Sequence, residues 1–350
     1  MPVSARKAPE ERRLGWGRAV AVFVLGLALG FAGLYLVAGG EIFRVETYRV
    51  RDPSALVVAL CVITFMLEWF VMDPARIWLL CRNQGIPLPF RSAVLVHLTS
   101  MFVASVTPGN AAVGPAAAVA LRRLGVPLGK SVGIAIQVLI FDMIFFAWAV
   151  PLSLGFLIYS DTLRLPPGPE FAAFAIAALA IVGAVLLTRY PRPVVRLILT
   201  LARVPLLNRF ASQTRRIARD YYRSARAFRN MPLSTWFALN AVVAGGWFGG
   251  FALFWLLLDL YGVHTGLVAT LAILTSITLV AHLFPTPGGS GFMEAALGLS
   301  VGAGGGAAAA LLIWRLASYH AIFLLGPPAA WLLYLEGGIR SQASGISKNP

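Results

Sequence analysis

Charge is scarce in this sequence. Of 350 residues only 12% are Asp, Glu, Lys or Arg, while 59% are hydrophobic. A soluble domain carries about 25% charged and about 45–50% apolar residues. Half the usual solubilising charge over an apolar excess excludes a water-soluble globular enzyme. Cysteine is nearly absent. Cys61 and Cys81 offer neither a disulfide framework nor metal-ligand spacing. Glycine and proline number 34 and 22, below the roughly 25–30% combined share that marks disordered or low-complexity chains. Acidic residues number 14 against 29 basic ones, for a net charge of +15. No phosphate-binding Gly-Lys-Ser/Thr loop, nucleophile elbow or zinc motif is present. The sequence therefore assigns no catalytic residue, no metal and no cofactor, and an ATP-driven pump would need its ATPase from a partner. What remains is a polytopic membrane protein.

The basic excess is concentrated. Residues 189–232 hold eleven Arg and one Asp. Because this stretch lies between hydrophobic segments, it marks a cytoplasmic loop rather than a nucleic-acid surface. Ile217, Tyr221 and Phe228 fall on one helical face, with Arg215, Arg219, Arg223 and Arg226 on others. An amphipathic helix lying on anionic lipid headgroups fits this pattern; a solvated linker with topogenic charge is the plainer reading.

About 20 apolar residues cross about 30 Å of hydrocarbon. Ala19–Gly40 is uncharged and follows a basic stretch, as in a signal anchor. Further apolar stretches are 54–72, 92–121, 131–159, 171–188, 233–258, 267–284 and 302–335. Basic residues then set the path. The N-terminus, 1–18, is cytoplasmic; loop 41–53 is neutral and faces out. Arg76, Arg82 and Arg91 mark one cytoplasmic loop, and Arg122, Arg123 and Lys130 the next. Segment 92–121 thus begins and ends inside. It is broken by Thr107-Pro108-Gly109-Asn110, and the arm 92–106 makes about 22 Å of helix, too short to span. It reads as a re-entrant hairpin from the cytoplasm.

A second break, Pro285-Thr286-Pro287-Gly288-Gly289, interrupts the chain after 267–284. The charge path makes it a hairpin from the outside. The expected fold is all-α: six transmembrane helices plus two opposed re-entrant hairpins, inverted-repeat-like, in one domain over 19–335 with a cytoplasmic tail 336–350. Eight full crossings are the alternative. Paired breaks in corresponding halves point to a transporter's central site, and backbone exposed at that depth must line a cavity or be covered by protein. A kinked helix with glycines for close packing is the plainer reading.

Charges inside apolar segments cost on the order of 2.5–3.5 kcal/mol each on insertion scales. Glu68, Asp142, Glu294 and Arg315 are such charges; Asp73 and Arg76 lie near an expected membrane boundary. Glu294 follows the second break, where a helix dipole favours a carboxylate; it also suits a cation, an ion or Arg315. Arg315 stays charged and needs a partner, either Glu294 in a salt bridge or a lipid phosphate held bidentately. Glu68 and Asp142 pair with Arg76 or carry protons. His97, His264, His282 and His320 stand singly, without metal spacing.

Pro285-Thr286-Pro287-Gly288-Gly289-Ser290-Gly291-Phe292-Met293-Glu294-Ala295-Ala296 resembles the signature of the lysylphosphatidylglycerol synthase transmembrane-region family. Trp314-Arg315-Leu316 with Tyr319 and Gly326 resembles that family's last region. Asp73-Pro74-Ala75-Arg76, Gly85-Ile86-Pro87-Leu88-Pro89-Phe90 and Val106-Thr107-Pro108-Gly109 resemble its first half. The likeness covers roughly 55–335. It departs at Asn110-Ala111-Ala112-Val113-Gly114-Pro115, which stands where a second glycine and an acidic run are usual. The resemblance implies translocation of a phospholipid or polyprenyl-linked lipid across the cytoplasmic membrane. Family members that aminoacylate lipid add a transferase domain of several hundred residues, so no aminoacyl transfer is expected here. An ion-coupled transporter of a small solute, a non-transporting partner of an envelope enzyme and an intramembrane enzyme are the rival readings. A homo-oligomer stays open.

Overall fold

The computed structural model describes residues 24–26, 28–33, 54–107, 109–160, 211–282, 286–302 and 304–343, with a few single positions beside them. The N-terminal 1–18, the expected crossing 171–188, residues 201–210 of the Arg-rich stretch, the tail after 343 and Pro108 lie outside the described residues. Every regular element among the described residues is helical: α1 (Val24–Gly33), α2 (Ala55–Leu67), α3 (Asp73–Asn83), α4 (Phe90–Ser105), α5 (Val113–Arg123), α6 (Leu128–Tyr159), α7 (Ala211–Arg229), α8 (Leu233–Leu260), α9 (Leu267–Ala281), α10 (Phe292–Val301), α11 (Gly305–Arg315) and α12 (Ile322–Ala343).

Among the described residues four helical runs are long and apolar enough to cross a membrane: Ala55–Asn83, Leu128–Tyr159, Leu233–Leu260 and Gly305–Arg340. The chain is an all-α polytopic membrane protein. The outward face of α2 carries Leu56, Val58, Val62, Ile63 and Met66, all exposed. In water that patch would be an aggregation surface; in a bilayer it faces acyl chains.

Two of these runs pass through a single π-helical turn, Glu68–Met72 between α2 and α3 and Leu316–His320 between α11 and α12. Pro74 stands two residues after the first turn and has no N–H to donate to the ladder. A π-turn relieves such a register fault and recurs at functional sites. Here each turn adjoins a buried charge.

Helix α3 replaces part of the expected loop. Asp73, Arg76 and Arg82 do not sit in a loop after residue 72; the helix continues without interruption to Asn83. Asp73 thus lies about 15 Å of helix before the end.

The elements flanking the two breaks are short. α4, α5, α9 and α10 have 16, 11, 15 and 10 residues, each under the about 20 needed to span. They are not left at the periphery. α4 packs along α12, where Gly326 lies against Phe102, and Ser92 Oγ and Arg340 both donate to the Glu336 carboxylate. α5 and α9 both pack on the 32-residue α6.

Helix α7 departs from the expected lipid-bound orientation. Its Ala218, Tyr221, Ser224 and Ala225 are buried because α7 docks on α6. Gln137 donates to the Ser224 carbonyl and hydroxyl at 3.2 and 3.1 Å, and Phe228 stacks edge-on against Phe141 at 5.7 Å. Protein therefore covers the Tyr221–Phe228 stripe assigned above to lipid. Arg215, Arg219, Arg223, Arg226 and Arg229 remain exposed.

Candidate functional site

The two breaks have one backbone solution. Gly109 and Asn110 both take φ +56°; Gly288 and Gly289 take +59° and +66°. Each Thr-Pro-Gly-Asn/Gly sequence therefore ends in two consecutive left-handed residues. Among the described residues Asn110 is the only non-glycine with positive φ. Asparagine tolerates that region best among residues with a Cβ, so the departure from the family pattern at Asn110 preserves the turn. Thr107 closes the first turn: its Oγ1 donates to the Ala104 carbonyl at 2.6 Å and accepts from the Ala112 N–H at 3.2 Å.

The two turns meet. The Gly109 N–H donates to the Thr286 carbonyl at 3.4 Å. A Cβ on Gly109 would stand 2.6 Å from the His282 carbonyl oxygen, so only glycine fits. Gly109 and Thr286, 177 positions apart in sequence, thus share one irregular junction, in which Gly109, Asn110, Thr286 and Gly288 are half-buried and Pro287, Gly289 and Ser290 are buried. Asn110 Oδ1 and Thr286 Oγ1 are buried there without a hydrogen-bond partner.

Glu294 and Arg315 form an ion pair at this junction. Arg315 Nε donates to Glu294 Oε1 at 2.6 Å, and both side chains are almost wholly buried. The sequence left open whether the carboxylate served the helix start or the arginine; it does both. Its Oε2 accepts from the Gly291 N–H at 2.6 Å, half of a capping box at the start of α10. Arg315 Nη2 donates to the Gly288 carbonyl at 3.1 Å and Ser290 Oγ at 3.0 Å. Its guanidinium lies 4.9 Å from the centre of the Tyr319 ring, in cation–π range.

Tyr319 closes the assembly. Its hydroxyl donates to the Ser105 carbonyl at 2.8 Å, at the end of the first broken arm. A Cβ on Gly288 would overlap the Tyr319 ring. We expect Gly288→Ala to lower stability by at least about 1–2 kcal/mol from the left-handed backbone alone, with the ring clash added. Asn110→Gly, which meets neither cost, should leave the thermal midpoint in detergent unchanged. Equal midpoints for the two variants would contradict this geometry.

Helix α1 covers the pair with three glycines spaced for one face. Cβ atoms built on Gly26, Gly30 and Gly33 would stand 3.3 Å from Tyr319, 3.2 Å from Glu294 Oε1 and 2.6 Å from the Gly291 carbonyl. Composition and charge did not identify this contact. The signal available was the small-residue spacing that lets membrane helices approach closely.

A second charged cluster lies on the other side of α8. Arg76 Nη1 donates to Asp142 Oδ1 at 2.6 Å, and its Nη2 lies 3.3 Å from Asp73 Oδ1. Trp247 Nε1 donates to the same Asp142 oxygen at 3.1 Å, and His97 Nε2 stands 3.5 Å from Asp73 Oδ2. Of the pairings open for Arg76, the structure makes Asp142 and Asp73; Glu68 is not hydrogen-bonded to it. Asp73, His97 and Trp247 were not among the residues the sequence singled out as a site. Gly250 separates the clusters. Its Cα side faces Glu68, where a Cβ would stand 2.6 Å from Oε1, and its carbonyl accepts from Trp314 Nε1 at 2.9 Å. Among the described residues no three His, Cys, Asp or Glu side chains converge as metal ligands. Cys61 and Cys81 are buried, unpaired thiols.

Paired broken helices meeting inside a multi-pass bundle, with a buried ion pair at their junction, define a polytopic membrane protein of the interrupted-helix class. Within that class, the chain belongs to the lysylphosphatidylglycerol synthase transmembrane-region family, whose sequence profile matches residues 19–326. The match includes both breaks, both charged clusters and α1. That family is a membrane domain associated with lipid synthesis or flipping. No curated protein matches the chain at a significant level.

Proposed function

We propose that this protein moves a polar-headgroup lipid across the cytoplasmic membrane, with the headgroup passing the junction of the two broken segments while the acyl chains stay in the bilayer. One observation carries the reading. The Gly109–Thr286 contact brings two helix breaks together beside Glu294 and Arg315, so irregular backbone, a guanidinium and a carboxylate share one place at the core of an apolar bundle. In the closed conformation Arg315 is engaged by Glu294, Gly288 and Ser290. Translocation exchanges those partners for a lipid phosphate, which a guanidinium holds bidentately. The short arms α4–α5 and α9–α10 act as opposed re-entrant hairpins, and both termini lie in the cytoplasm. The exposed arginines of α7 contact anionic headgroups at the cytoplasmic surface.

The test is a protection assay in liposomes holding the purified protein. Lipids carry a fluorophore on the headgroup, and an impermeant quencher reports the outer leaflet. The panel comprises phosphatidylglycerol, an aminoacylated phosphatidylglycerol and a polyprenyl-linked sugar. Exposure of at least one probe above protein-free liposomes is expected. No exposure of any probe, with or without an ion gradient, contradicts lipid movement and favours uptake of a small solute.

A further inference from the structure

Three carboxylates and one guanidinium occupy the second cluster. Asp73 and Asp142 flank Arg76, and Glu68 lies within electrostatic range of both Asp73 and Arg76. With His97 neutral, the fully ionised cluster carries two uncompensated negative charges in the interior of a membrane bundle. Buried charge without a partner is not sustained; the group takes up a proton, or a cation fills the site. A metal ion is a poor fit, because no three ligands converge among the described residues. Two side chains there have unfilled hydrogen-bonding positions. Glu68 Oε2 is buried without a hydrogen-bond partner. His97 is 2% exposed, and its Nε2, also without a hydrogen bond, points toward Asp73 Oδ2.

We propose that Glu68, Asp73, His97 and Asp142, arranged around Arg76, form a proton-binding site that couples proton movement to the junction of the broken helices. The titratable and charged groups facing this site are Glu68 from the π-turn, Asp73 and Arg76 from α3, His97 from α4, Asp142 from α6 and His282 at the end of α9. Two contact chains lead from it to the junction. Asp142 holds Trp247, whose ring lies 5.8 Å from that of His282; the His282 carbonyl is the atom against which Gly109 packs. Glu68 faces Gly250, whose carbonyl holds Trp314 beside Arg315. Protonating Asp142 weakens its hold on Arg76 and Trp247 together, which frees the first chain. Protonating Glu68 removes a charge pressed against α8, which frees the second. The proton enters from one side of the membrane and leaves to the other as the junction changes shape.

The coupling half of this proposal rests on the transport reading above; the proton-binding half does not. The first arm therefore needs no lipid substrate. Infrared difference spectra of the full-length protein in phosphatidylglycerol nanodiscs, between about pH 5 and 8, should show a protonated-carboxyl band. Glu68→Gln or Asp142→Asn should remove part of that band, and His97→Gln should shift its midpoint, with thermal unfolding certifying each variant as folded. Absence of the band, or an identical band in all three folded variants, overturns the site. The second arm uses headgroup-labelled phosphatidylglycerol in liposomes with a pH gradient. The gradient should change the wild-type exposure rate several-fold, and Glu68→Gln should lose that response. A rate that follows a sodium gradient instead, or a response kept by Glu68→Gln, overturns the coupling. A titrating carboxyl band with no probe movement supports the proton site and contradicts the transport reading.

Discussion

Arg315→Ala is expected to lower stability by about 3–5 kcal/mol, the cost of stranding the other member of a buried pair. Glu294 would keep its bond from the Gly291 N–H but lose the only cation within salt-bridge distance of it among the described residues. Gly288 and Ser290 would lose a donor, and Tyr319 the guanidinium beside its ring. A simple loss of activity in this variant would not separate folding from function. The paired variant Glu294→Met with Arg315→Met does. Removing both charges together leaves no orphan, and replacing a buried ion pair by apolar groups is often neutral or stabilising. The double variant should therefore unfold near the wild-type temperature, well above Arg315→Ala. A double variant less stable than Arg315→Ala would show that the pair is not coupled as its 2.6 Å contact implies.

Arg76→Ala should be comparably damaging, for the opposite reason. Arg315 balances one carboxylate, whereas Arg76 is shared by Asp142 at 2.6 Å and Asp73 at 3.3 Å, with Glu68 nearby. Without it three carboxylates remain without a guanidinium. A loss of about 3–5 kcal/mol is again expected, and α3 loses its hydrogen bond to α6. Adding Asp142→Asn to Arg76→Ala should recover part of the loss, because it removes one stranded charge and retains an oxygen for the Trp247 N–H. The measurement is the unfolding midpoint of the wild type, Arg76→Ala, Asp142→Asn and the double variant in one detergent. A double variant less stable than Arg76→Ala alone would contradict the shared-cation arrangement.

Much of this arrangement was legible in the sequence, and the part that was not has a physical reason. The breaks at Thr107–Asn110 and Thr286–Gly289 announce themselves because proline and paired turn residues interrupt apolar runs, a signal carried by neighbours in the chain. Glu68, Asp142, Glu294 and Arg315 stand out because charge is expensive in such runs. Partner identity carries no local mark. Arg76 meets Asp142 across 66 positions, Trp247 meets it across 105, and Tyr319 reaches Ser105 across 214. The loop expected after residue 72 is helix as far as Asn83. Arg76 and Asp73 instead form a same-face pair within a longer helix, a spacing that itself argues for helix. The stripe on α7 was legible as amphipathic, but periodicity cannot tell lipid from protein as the cover; Gln137 and the close approach of Gly133 to Ser224 decide it.

If the charged junction of the two broken segments is the path of a lipid headgroup, removing its charges stops lipid movement. The direct measurement compares wild-type protein with the folded Glu294→Met/Arg315→Met variant in the same liposome protection assay. The wild type is expected to expose a labelled lipid to the quencher, and the double variant, equally stable and equally reconstituted, is not. Exposure at the wild-type rate by the double variant would contradict it and leave the ion pair a structural fastening.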